Sequence, residues 1–182
     1  MNKIKRHLKN NLPIYLILLT CIIIVIIIST VTNTKEDSEK PTVDTSMLRV
    51  LTLDETLDRF EDDNPTFLVI GYKTCSATIT YASYLKIAQA KYGYITYYLD
   101  LDTIDETQRE QYDKLVEKLD MEYNFQGQTN TFGSFIGSTP MTIIIKDHKM
   151  VYGHIGTIND DSLGALTKMY GLATKDYQEE EN

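Results

Sequence analysis

Thr66-Phe67-Leu68-Val69-Ile70-Gly71-Tyr72-Lys73-Thr74-Cys75-Ser76-Ala77-Thr78 is the stretch on which the reading of this chain turns. Its first seven residues form an unbroken apolar run, the pattern of a strand covered on both faces at the centre of a parallel or mixed sheet. Beyond Cys75 the period changes from two to about 3.6. Ile79, Ala82, Leu85, Ala88 and Tyr92 share one helical face, and Gly93 ends the helix. A cysteine therefore stands at a strand-to-helix junction.

Working toward the C-terminus, Tyr94 to Leu101 is an aromatic and β-branched strand. Asp105 and Gln108 supply a capping pair for a helix with the stripe Tyr112, Leu115, Val116 and Leu119. Met121 to Ser138 is rich in Gly, Asn, Gln and Thr and reads as a long loop. Met141 to Ile145 is a third strand, Asp147-His148-Lys149 a tight turn and Met150 to Ile155 a fourth strand, necessarily antiparallel to the third. Asp160 or Asp161 then caps a last helix carrying Leu163, Leu166, Met169 and Tyr170, closed by Gly171. Toward the N-terminus, Leu48 to Leu51 is a short edge strand. Thr52 and Glu55 form a capping box for a helix through Leu53, Leu57 and Phe60, stopped by Asp62-Asp63-Asn64-Pro65. The order β-α-β-α-β-α-β-β-α specifies an α/β domain, a mixed β-sheet flanked by helices.

Leu12 to Val31 carries no charge over the roughly 20 residues that cross a bilayer core, which predicts a single transmembrane helix ahead of the domain. Lys3, Lys5, Arg6 and Lys9 precede it and mixed charges follow, so the positive-inside rule places the N-terminus in the cytoplasm and the domain outside. The span is longer than a signal-peptide core and no A-x-A site follows, which favours a signal anchor over cleavage. The expected organisation is a basic N-terminus at 1–11, the span at 12–31, a polar tether at 32–46, the domain at 47–172 and an acidic tail at 173–182.

The net charge of −8 argues against nucleic acid as a partner, because phosphate binding needs clustered Lys and Arg. The two cysteines, Cys21 and Cys75, fall in the span and the domain and make no disulfide framework. The three histidines have no ligand spacing, and Asp100 and Asp102 read as a solvated strand end without further ligands, so no metal is expected. Phosphate-binding glycine motifs are absent and no cofactor is expected; a nucleotide-binding α/β domain is disfavoured because the turn after Tyr72 lacks glycines.

The candidate chemistry is at Cys75. A thiol at a helix N-terminus meets unpaired N–H groups and the positive end of the helix dipole, which favour thiolate, and Lys73 stands nearby. With Tyr72-Lys73-Thr74-Cys75-Ser76-Ala77-Thr78 at the junction and Ser138-Thr139-Pro140 just before the hairpin, the domain resembles the thioredoxin superfamily from about Ser46 to Leu172. Within it, the chain is similar to accessory proteins of bacteriocin transport. The resemblance implies a thioredoxin-like mixed sheet, Cys75 as nucleophile, and a cis-proline loop of Thr139 and Pro140 facing the substrate. Thr78 and Lys73 join the same candidate binding surface. The departures are equally specific. The family's CxxC becomes CxxT, since Thr78 holds the second cysteine's place; the chain has no Trp; and Thr66 to Ile70 contains no acid.

Two readings follow. In the first, Cys75 performs monothiol disulfide exchange or isomerisation on a secreted or envelope protein, with an external thiol completing the cycle. In the second, the domain is a redox-silent adaptor for an export system or envelope protein, holding an extended peptide beside Thr139 and Pro140.

Overall fold

The computed structural model describes residues 40–175, together with Ile22. The basic N-terminus, the 12–31 span, most of the tether and the tail beyond 175 lie outside the described residues. Among the described residues no helix is long and apolar enough to cross a membrane.

Strand β1 is Arg49–Leu51 and helix α1 Leu53–Asp58. They are followed by β2 Thr66–Gly71, α2 Ser76–Tyr92, β3 Thr96–Asp100 and α3 Arg109–Lys118. The chain then forms β4 Glu122–Phe125 and β5 Gln128–Thr131, β6 Met141–Lys146, β7 Lys149–Ile155 and α4 Asp160–Met169. The main sheet has the order β1-β3-β2-β6-β7. β1, β3 and β2 run parallel, while β6 is antiparallel to β2 and β7 to β6.

β2 sits at the centre, and every one of its residues is buried. The period-two alternation of a strand explains why one apolar run serves two cores. Phe67 and Val69 join Tyr81, Ala82, Leu85 and Ala88 of α2 and Leu163 of α4. Leu68 and Ile70 join Leu53 of α1 and Leu115 of α3 on the opposite face. β6 repeats the pattern, sending Ile144 to the first core and Met141, Ile143 and Ile145 to the second.

Several local details differ from expectation. Asp105 and Gln108 do form a capping box, but around a 3-10 turn, Glu106–Gln108, with α3 beginning at Arg109. The last helix is capped by Asn159, whose Oδ1 accepts the Ser162 amide at 2.9 Å, one residue before the predicted aspartates. Those aspartates fill the first turn instead, where they complement the dipole. The predicted loop from Met121 to Ser138 contains the β4–β5 hairpin and a 3-10 turn, Phe132–Phe135. The hairpin is short and polar, so its alternation carries little signal. It is anchored by Tyr123, whose ring meets Phe132 edge-on at 4.9 Å and whose hydroxyl accepts the Ile155 amide. Val43, within the predicted tether, is buried in the first core, and its amide donates to the Lys73 carbonyl at 2.8 Å.

Candidate functional site

The end of β2, the start of α2 and the loop before β6 converge on Cys75. Tyr72-Lys73-Thr74 make a tight turn in which the Cys75 amide donates to the Tyr72 carbonyl at 3.1 Å. Asp100, at the end of the neighbouring β3, pins that turn. Its Oδ1 accepts the Lys73 amide at 3.2 Å and the Asp102 amide at 3.1 Å. Asp100 is 6% exposed, so this carboxylate is a buried structural acceptor, and it replaces the solvated strand end expected from sequence. Among the described residues no group of His, Cys, Asp and Glu is arranged to hold a metal ion.

Cys75 occupies the N-cap of α2 with extended backbone, φ −71° and ψ 121°. Its carbonyl accepts the first helical bond, from Ile79, at 2.9 Å. Its side chain makes no standard capping bond, and its sulfur is a free, half-buried thiol. The neutral thiol donates to the Thr139 carbonyl, with Sγ 3.9 Å from that oxygen. Burial pushes the thiol pKa up. The Thr139 side chain, the Thr78 amide and hydroxyl, and the Ala77 amide together pull it down by more, from 9.0 to about 7. Three of those groups belong to the first turn of α2, and two of the three are backbone amides of the kind that favour an anion there.

The five residues singled out from sequence are placed as follows. Thr139 stands against Cys75, and the Thr139–Pro140 peptide is cis. Pro140 is buried, and its carbonyl accepts the Gly156 amide at 2.8 Å, which ties this loop to the end of β7. Thr78 is buried beneath the thiol rather than displayed on a binding surface. Lys73 is brought to the site by its backbone, while its side chain is exposed and is not among the groups that lower the thiol pKa. His154 lies on β7, and burial holds its imidazole below the ordinary value.

Sequence reasoning passed over three contributors. Tyr98 of β3 donates its hydroxyl to the Gly71 carbonyl at 3.2 Å, directly under the turn. Gly71 itself is in close contact with Thr78. Tyr72, 37% exposed, presents an aromatic ring next to the thiol turn. A Tyr in a β-rich stretch reads as ordinary core, and only the register of β2 against β3, with Gly71 opposite Asp100, brings these groups under Cys75.

No protein-family model matches the chain, and no curated protein does. Among solved structures, thioredoxin-2 of a malaria parasite, described as a component of its protein secretion machinery, is 20% identical over 58% of this chain and 82% of that one, with a TM-score of 0.39. The thioredoxin of Aeropyrum pernix is 13% identical over 65% of this chain and 83% of that one, TM-score 0.46. The thioredoxin pre-protein of Schistosoma mansoni is 21% identical over 69% and 99%, TM-score 0.44. The strand order and the cysteine facing a cis-proline loop define the fold by themselves: a thioredoxin-like mixed α/β sheet flanked by helices.

Proposed function

We propose that this is a membrane-tethered, extracytoplasmic thiol protein that exchanges disulfides through Cys75 alone. The observation that carries the reading is a half-buried thiol at a helix N-cap, pulled down to about 7 and facing the Thr139–Pro140 loop. A thiol at that value is about half ionised at neutral pH, and the thiolate is the attacking species.

The step is an exchange without net redox change. The Cys75 thiolate attacks one sulfur of a client disulfide. A Cys75–client disulfide forms, the client's other sulfur leaves as thiolate, and solvent protonates it. Thr78 has no thiol with which to resolve this adduct. Release therefore requires another thiol: either a different client cysteine, liberated when the first freed thiolate attacks a further client disulfide, which gives isomerisation, or an external low-molecular-weight thiol, which leaves with the client sulfur as a new disulfide. The apolar stretch at 12–31 and its basic flank support a membrane anchor with the domain outside. The similarity to bacteriocin-transport accessory proteins points to an exported peptide or protein as client.

Two measurements test this. The alkylation rate of Cys75 against pH should show a half-point near 7, and Cys75→Ala should abolish labelling in the domain. In cells, acid-quenched extracts should contain Cys75-dependent mixed disulfides with secreted or envelope proteins. Partners captured equally by the Cys75→Ala chain but lost on Pro140→Ala would support the adaptor reading instead.

A further inference from the structure

We infer that Thr78 is the residue that keeps Cys75 ready to react: unpartnered beside the neutral thiol, its hydroxyl turns to donate to the Cys75 sulfur once that thiol ionises, and the bare Cα of Gly71 leaves the room that lets it do so. This rests on the reading of Cys75 as the reactive thiol and adds the residue that sets its reactivity.

The first observation is an orphan. Thr78 is 2% exposed, and its Oγ1 has no hydrogen-bond partner among protein groups. A buried hydroxyl without a partner is uncommon and calls for an explanation. Other helical threonines of this chain solve the same problem locally. Thr80 donates to the Ser76 carbonyl at 3.0 Å, Thr167 to the Leu163 carbonyl at 2.9 Å and Thr56 to the Thr52 carbonyl at 2.8 Å. This four-back bond is the usual resort of a helical threonine. Thr78 does not take it. It stands three residues after the N-cap cysteine, the position from which a first-turn residue reaches back to the cap. A thiolate at Cys75 is the acceptor that position offers, and the Thr78 hydroxyl is among the groups that favour that thiolate.

The second observation is the packing that fixes the side chain. A Cβ built on Gly71 would lie 2.7 Å from Thr78 Cγ2 and 3.0 Å from Oγ1. The Thr78 side chain thus rests against the Cα of residue 71, in space that any other residue would fill. Gly71 is not among the residues with positive φ, so its missing side chain serves this close approach and not an unusual backbone. The Tyr98 hydroxyl, from the same face of the sheet, donates to the Gly71 carbonyl and helps hold that wall in place. A threonine is also stiff at χ1, so a wall against its methyl sets the direction of its hydroxyl.

The other groups facing the thiol do not duplicate this donor. Tyr98 and Asp100 approach from β3 and Asp102 from the turn after it; burial first, then the two carboxylates and the thiolate, disfavour ionising that phenol. The first turn of α2 carries no acid, and the imidazole of His154 on β7 responds to burial and to the Thr157 backbone. A hydroxyl can donate to a thiolate but does not attack a disulfide at neutral pH. Thr78 therefore favours forming a mixed disulfide and contributes nothing to resolving it.

The test uses the full-length chain in detergent with Cys21→Ala, so that one thiol reports. Cys75 alkylation is followed against pH for the parent, Thr78→Val, Thr78→Ser and Gly71→Ala. Thr78→Val keeps the shape and removes the hydroxyl; it should raise the half-point by about one pH unit and slow alkylation at pH 7 by about fivefold. Thr78→Ser should return most of the loss. Gly71→Ala, with every hydroxyl still present, should shift the half-point the same way as Thr78→Val. Superimposable profiles for the parent and a folded Thr78→Val chain would overturn the inference, as would equal shifts in Thr78→Val and Thr78→Ser. Should Thr78→Val not fold, the serine and Gly71 variants decide: an unshifted Gly71→Ala chain sinks the inference. The outcome is separate from that for client exchange. A Thr78-dependent half-point with no captured client would remove the proposed function and leave this assignment standing.

Discussion

Cys75 couples reactivity to stability. Its pKa is lower in the folded state, about 7 against 9.0, so between those values the unfolded chain binds more protons. Stability contributed by the thiolate is therefore fully present above pH 9 and is lost as pH falls through 7. The thiol is partly open to water, so the gain is discounted to about 1 kcal/mol. Urea unfolding of the parent and of Cys75→Ala at pH 6 and pH 9 should show that difference in the change between the two pH values; parallel shifts would remove the link between fold and thiolate. At this scale the sequence made part of the site legible. Cys75, Thr139 and Pro140 stand out because a strand-to-helix cysteine and a pre-strand proline are local patterns. Thr78 was legible as the missing second cysteine and as part of a candidate binding surface, not as a buried neighbour of the thiol. Its burial against Gly71 depends on the path of β2 under α2, which no local pattern states.

The elements follow from local rules wherever the chain supplies its own partners. Thr52 and Glu55 close a capping box in both directions, with the Thr52 amide donating to Glu55 Oε2 at 2.7 Å and the Glu55 amide to Thr52 Oγ1 at 3.3 Å. Thr52→Ala should cost about 1 kcal/mol in chemical denaturation, the ordinary value of an N-cap, without altering Cys75 alkylation. Where one helix meets another, spacing is silent. α4 lies on α2 through Gly164, at which a Cβ would stand 2.1 Å from the ring of Tyr92. Gly164→Ala would gain helix propensity yet should destabilise by about 2 kcal/mol, because the buried ring must move. A stabilised variant would mean that Tyr92 repacks freely. The turn between β6 and β7 lies between these cases. Asp147 and His148 both adopt positive φ, 53° and 62°, as a two-residue hairpin turn requires. His148 Nδ1 donates to the Phe60 carbonyl at 3.1 Å, and its Nε2 lies 3.4 Å from Asp63, so a remote loop holds a turn whose residues do not favour it.

For the whole molecule, a fragment beginning at Pro41 should be soluble and unfold in one cooperative transition, since its two cores share the central strand β2. Starting instead at Met47 removes Val43 and the hydrogen bond its amide donates to the Lys73 carbonyl of the thiol turn, and should lower the midpoint and quicken proteolysis at Lys73. The full chain should sediment with membranes and resist high-salt extraction; release by salt would end the anchor proposal. The sequence by itself determined the order of elements, the central buried strand, the antiparallel final hairpin and the cysteine at the junction. Each of these is written in periodicity, caps and turn residues that act within a few positions. The tertiary structure alone decided the order of strands in the sheet and the hairpin inserted before the cis-proline loop. It also decided the burial of Asp100 beneath the thiol turn and the contact of Thr78 with Gly71. These depend on which strands pair and in what register, and on how closely two backbones approach. Such contacts join residues far apart in the chain, and local propensity carries no record of them.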